Sequence, residues 1–223
     1  KIQVQSDGGL IMAIISNAVT IADAGAFSVN LGSLVHIKTI TGLENNSENI
    51  ASMSFIHGAS SVVFNDTYPI YIVKFINVMS SSGQNFQMNA TTDGSNFNVV
   101  GTSTCFVGEH SEDDSSVARL TYSAGYDVAN AANPYLFNIN KGGLRDASDS
   151  GASGQIIIFN PSNTTFVKHY ISTVNSMSEY PGSTQNHVAG YFNTTSALTG
   201  IRFNSINSNV MHGTIKLYGL KDS

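Results

Sequence analysis

The sequence has no tryptophan, one cysteine, four prolines and only 11% charged residues over 223 positions. Each shortage excludes something. A lone Cys105 cannot form an intrachain disulfide, so no disulfide framework holds the fold. Ten Lys and Arg against fifteen Asp and Glu leave a net charge of −5 and no basic patch, which argues against nucleic acid as a partner. The apolar run "LIMAII" at residues 10–15 is far below the ~20 residues that a membrane span requires, so no membrane insertion is expected. Flanked by Lys1 and Asp7, it does not read as a secretory leader either.

What replaces the missing charge is Ser, Thr, Asn and 20 Gly. Hydrophobic residues make up 41% and the mean hydropathy is +0.01, the values of a folded globular chain and not a disordered one. Size scaling gives about 10,000 Å² of surface folded against about 34,000 Å² unfolded, enough for a sizeable core. The surface must therefore be polar and largely uncharged. Sheet proteins usually guard their edges with Lys and other charges, and ten cations cannot guard many. This composition suits a subunit whose edges are covered by copies of itself or by neighbours; the plainer reading is a surface β-protein with a bland exterior.

Strand-like runs dominate: "FSVNL", "LVHIKTI", "SVVFN", "YPIYIVKFINV", "NFQMNATTD", "YLFNIN", "GQIIIFN", "TFVKHYIS", "TGIRFNSI" and "GTIKLYG". They are rich in β-branched and aromatic residues and bounded by Gly, Asn, Ser and Pro. Ile201 and Phe203 alternate with Arg202 and Asn204, whereas residues 155–159 are apolar on both faces and suit the middle of a two-sheet packing. No long helical period is present; residues 8–18 read as a short helix or a buried strand. The expected class is all-β, an antiparallel β-sandwich of jelly-roll type. Residues 1–50 are read as an N-terminal arm or extra strands and 51–223 as the sandwich. "STCFVGEHSEDDSS" (103–116) and "NKGGLRDASDSGASG" (140–154) read as loop-rich.

Catalytic patterns are missing. "GASG" at 151–154 falls one residue short of a Gly-x-Ser-x-Gly elbow, and the six His form no HExxH and no close pair. Cys105 reads as an inert thiol. The carboxylates Glu109, Glu112, Asp113 and Asp114 are the only calcium candidates, set against the plain reading of a solvated loop. "DASDSG" fails as an EF-hand start, with Ser148 and Ser150 at ligand positions and Ile157 where the bidentate Glu belongs. No catalytic residue, no metal and no cofactor is expected. The Gly/Ser-rich loop carrying Lys141, Arg145, Asp146 and Asp149 is the candidate contact site, because it concentrates charge on a charge-poor surface.

From about residue 60 the order of segments is distinctive. Tyr68 and Tyr71 lie in "YPIYIVKFINV", Thr92-Asp93-Gly94 makes a turn, Gly154–Pro161 reads "GQIIIFNP", and Gly213–Gly219 reads "GTIKLYG". This ordered set, about 160 residues long, resembles a β-rich module of tailed-bacteriophage virion proteins, often at the C-terminal end of tail-fibre or tail-associated chains. His212 departs from the small residue usual before the closing segment.

The resemblance implies a non-enzymatic structural or attachment role on a virion, as a fibre tip, a small tail protein or a capsid decoration. Its implied partners are copies of itself in a homotrimer, other virion proteins and host surface glycans. The competing expectation is a secreted carbohydrate-binding module or carbohydrate-active enzyme domain, with Tyr126, Tyr135 and Tyr191 standing in for the absent tryptophan as sugar platforms.

Overall fold

The computed structural model describes residues 2–5, 13–16, 19–23, 26–27, 34–42, 50–80, 85–132, 134–137, 150–177, 181–206 and 211–221. Four short strands come first: β1 (Ile2–Gln5), β2 (Ala13–Ser16), β3 (Val19–Asp23) and β4 (Ala26–Phe27). They pair in sequence order as an antiparallel sheet, so the 8–18 segment contributes a strand. Then follow β5 (Leu34–Gly42), β6 (Met53–Ile56), β7 (Ile70–Ser80), β8 (Phe86–Thr91), β9 (Gly101–Ser111), β10 (Ala118–Tyr122) and β11 (Val128–Ala131). The chain continues through β12 (Tyr135–Phe137), β13 (Gly151–Phe159), β14 (Lys168–Met177), β15 (Gly182–Phe192), β16 (Gly200–Ser205) and β17 (Met211–Leu220). A 3₁₀ turn, Ala59–Ser61, lies between β6 and β7.

The strand order spells out a jelly roll. The large sheet runs β10-β9-β15-β14-β13-β7-β17-β5, with β11 also on β9, and the small sheet runs β12-β8-β16-β6. Four antiparallel pairs are nested along the chain: β5 with β17, β6 with β16, β7 with β13, and β8 with β12. Such nesting is one long hairpin. It folds over when β7 joins β17 in one sheet and β8 joins β16 in the other. That gives β5-β17-β7-β13 facing β6-β16-β8-β12, the two four-stranded sheets of a jelly roll. The additions β9–β11 and β14–β15 enter between strands of this frame and widen the large sheet only.

Four readings of the sequence shift. β5 lies within residues 1–50 yet pairs β17, so the sandwich takes in Leu34–Gly42 as well as 51–223. Residues 103–111, read as loop, belong to β9: Ser103, Cys105 and Val107 point into the core while Thr104 and Phe106 point out. Residues 151–154 open β13 and do not belong to a loop. Conversely "SVVFN" is not a strand, although Val62 and Phe64 are buried in the core.

The core is packed around aromatic rings from both sheets. Phe75 of β7 meets Phe86 of β8 at 5.6 Å and Phe203 of β16 at 5.3 Å, both near-perpendicular, the geometry favoured by ring quadrupoles. Phe86 and Phe203 stack at 6.0 Å, and Phe55 adds an edge contact to Phe203. Just beyond Phe75 the strand carries an extra residue. Ile76 and Asn77 are consecutive and exposed, Asn77 has φ +47°, and the registers with both β13 and β17 shift there. The bulge is accommodated by Ser153, whose Oγ accepts from the Asn77 N–H at 3.0 Å. It also requires Gly213, at φ +94°, because a Cβ there would lie 2.3 Å from the Asn77 carbonyl oxygen.

Replacing Phe203 by Ala should cost about 3–5 kcal/mol, since it removes a fully buried ring touched by three others. Urea unfolding of the two proteins measures this; a loss below about 1 kcal/mol would show that the rings do not hold the sheets together.

Candidate functional site

The large sheet turns an open face away from the small sheet, and strand register orders its side chains in rows. One row reads Tyr122, Phe106, His187, Thr173, Gln155, Lys74, Lys216 and Thr39, from β10 across to β5. The next reads Thr104, Ala189, Ile171, Ile157, Ile72, Tyr218 and His36. A hydrogen-bonding row thus lies beside an apolar one. Lys74 and Lys216 stand directly opposite each other, and the Lys74 Nζ donates to Gln155 Oε1.

Three of the exposed apolar groups gather at the β10 end, Leu120 at 73%, Tyr122 at 48% and Phe106 at 46%, with Ile171 at 50% three strands further in. Phe106 and Tyr122 meet edge-to-face at 5.3 Å. The Tyr122 hydroxyl donates to Asp127 at 2.5 Å, and that bond holds the phenol's pKa above its ordinary value. The sequence alone did not single out Phe106 or Tyr122. Their exposure follows from strand facing, which becomes visible only once β9 is recognised as a strand.

The expected sugar platforms fare differently. Tyr126 packs partly buried against the core, Tyr191 is half-buried with its ring 5.9 Å from that of His169, and Tyr135 stands at register with Gln87 on β12. The candidate loop residues Lys141, Arg145, Asp146 and Asp149 lie outside the described residues.

The four calcium candidates sit at the β9–β10 hairpin, and the described contacts engage three of their side chains separately. Glu109 Oε2 accepts from Arg119 Nε at 2.5 Å. Asp113 accepts from the Ser115 and Ser116 N–H groups and from the Ser116 hydroxyl. Asp114 pairs with His110 at 3.1 Å. Glu112 uses its backbone N–H on the Pro181 carbonyl. Among the described residues no group of three or more His, Cys, Asp or Glu is placed to hold a metal ion.

Cys105 is fully buried, and burial pushes its thiol up to about 11, so at neutral pH it stays protonated and a poor nucleophile. Ser153 of the near-elbow serves the β7 bulge, where its hydroxyl donates to Asn77 Oδ1 at 3.3 Å. Lys168 was missed by sequence reasoning. It is fully buried, and its Nζ donates to the carbonyls of Phe166 at 2.6 Å and Thr194 at 3.2 Å, tying two loops together. Burial lowers its pKa, because no described carboxylate meets the ammonium.

The residues quoted for the virion resemblance are spent on backbone geometry. The Tyr68 ring lies flat on Gly219, where a Cβ would come within 2.3 Å of it. The Tyr71 hydroxyl donates to the Asn65 carbonyl and accepts from the Asn65 N–H, both at 2.9 Å, and burial pushes this phenol up to about 12. Asp93 closes its turn by accepting from the N–H groups of Ser95 and Asn96, the Asn96 amide and the Thr91 hydroxyl. Pro161 offers its carbonyl to the Leu198 N–H. Comparison with family models, curated proteins and solved structures found no match to the chain.

Two outcomes follow. Lys168→Ala should destabilise the fold by about 2–4 kcal/mol, by emptying a buried site and orphaning two carbonyls; a chemical melt within 0.5 kcal/mol of the parent would refute the clamp. Hydrogen bonds hold the carboxyls of Asp93 and Asp113 well below the ordinary carboxylate range. A depressed folded-state pKa stabilises above the unfolded value, so this contribution is intact at neutral pH and is lost as pH falls below about 4. Thermal midpoints taken from pH 6 to pH 2 should fall less steeply for Asp93→Asn than for the parent.

Proposed function

We propose that this chain is a non-enzymatic structural or attachment subunit of a tailed-phage virion, exposed on the tail or capsid. One observation carries the reading. The ordered residues that resemble the virion module occupy positions where the jelly roll needs particular backbone geometry: the Tyr68–Gly219 contact, the Asp93 turn, the Pro161 loop and the Asn77–Gly213 bulge. A signature built from such positions marks a shared architecture and not a shared reaction. The charge-poor surface fits a subunit packed among neighbours, with copies of itself in threefold arrangement and other virion proteins as partners.

Antibody raised against the purified chain should decorate tailed particles in negative-stain micrographs of lysates from the source culture. Label confined to cells or medium would overturn the virion assignment. Turnover of any polysaccharide by the purified chain would overturn its non-enzymatic character.

A second reading, a carbohydrate-binding module, is favoured by the exposed Phe106–Tyr122 pair beside His187 and Thr173. Aromatic faces stack on the C–H faces of sugars while hydroxyl and imidazole groups meet their hydroxyls. Glycan binding that disappears with Phe106→Ala would support it, and on a virion the same contact would serve attachment.

A further inference from the structure

Among the described residues five strands stand at the edges of the two packed sheets, and four carry a device that discourages pairing. β6 has four residues, β12 three, and β11 four with a shifted register against β9. Short or irregular edges offer little template. β5 is long, but an extra residue at Ile37 breaks its register with β17, and Lys38 follows.

β10 has no such device. It is regular against β9 over all five residues, each of them exposed. Its one charge, Arg119, is already paired with Glu109. The direction of its open groups follows from the ends of the ladder. Val117 accepts from the Ser111 N–H at 2.9 Å and Ser123 donates to the Cys105 carbonyl at 2.8 Å. Odd-numbered residues therefore point their backbone groups at β9, and Ala118, Leu120 and Tyr122 point theirs outward.

We propose that β10 pairs with the β10 of a second copy, antiparallel about a twofold axis through Leu120. That register alone engages all three outward residues. Three donors on each copy meet three acceptors on the other, six backbone bonds in all. The side chains fit the same register. Leu120 meets the partner's Leu120, and the large Tyr122 meets the small Ala118 of the partner subunit. Arg119 faces the partner's Thr121, so no like charges oppose. A strand that fits itself in size and charge selects a second copy over an unrelated partner. The contact is isologous and closes at two; in a threefold assembly it would link neighbouring trimers. It stands independently of the virion reading.

Sedimentation equilibrium of the full chain at tens of micromolar should give twice the 23.7 kDa chain mass. Amide exchange followed by NMR should show Ala118, Leu120 and Tyr122 protected at that concentration and released on dilution, with Arg119 and Thr121 unchanged. Leu120→Pro removes an outward N–H without breaking a bond to β9, and should return the protein to monomer. Should that variant misfold, Leu120→Lys sets two ammonium groups on the axis through an exposed side chain and should have the same effect. A parent protein that is only monomer or only trimer overturns the proposal. So does a dimer whose three outward amides exchange fast, or a folded Leu120→Lys protein that keeps the doubled mass.

Discussion

The contact among Phe75, Phe86 and Phe203 is the one on which the rest of the sandwich depends. A jelly roll crosses between its sheets repeatedly, and each crossing must be tied on both sides. Phe75 stands at the middle of β7 and Phe86 at the start of β8, so their contact ties the large sheet to the small one. Phe203 of β16 makes a second tie from the small sheet to Phe75. Three rings thus join β7 and β8 to β16, more than 100 residues further along the chain. The Asn77 bulge belongs to the same device: it lets β7 bend after Phe75 while Val78 and Ser80 still point inward.

The frame strands were legible in the sequence because their inward residues are apolar. β16 and β17 alternate Ile, Phe and Leu against polar partners, β7 and β13 are apolar on both faces, and their Gly and Pro boundaries are clear. β9 and β15 were not legible. Their inward positions include Gly101, Ser103 and Asn186, which a count of apolar residues passes over. Buried polar groups here are satisfied locally: Asn186 Nδ2 donates to Ser176 Oγ at 3.5 Å, and Ser176 Oγ to the Thr184 carbonyl at 3.4 Å. A polar inner face with its own hydrogen bonds looks like a loop in sequence. The exposed Phe106–Tyr122 pair was hidden for the same reason, since facing has no meaning until the strand is known.

Low charge shapes how the fold handles its own surface. The carboxylates of Asp93 and Asp113 accept backbone N–H groups within their own turns, and Glu109 neutralises Arg119 across the β9–β10 hairpin. Few charges are left to repel another sheet edge. Protection falls instead to geometry, with short strands at β6 and β12 and a register break in β5.

The additions to the jelly-roll frame explain why function is best sought on the large sheet. β14 and β15 follow β13 outward, β9 and β10 follow them, and none of the four has a counterpart in the small sheet. The inward side of β14 and β15 is approached by β12, while the outward side of all four carries Ile171, His187, Phe106, Tyr122 and Leu120 into solvent. Stability explains the inner face of this extension, where Tyr170, Val174, Val188 and Phe192 are buried in the core, but not its outer face. Exposing large apolar groups on it has a cost in solubility unless something meets them. The extension is therefore the part of the fold whose sequence makes most sense in contact with a partner.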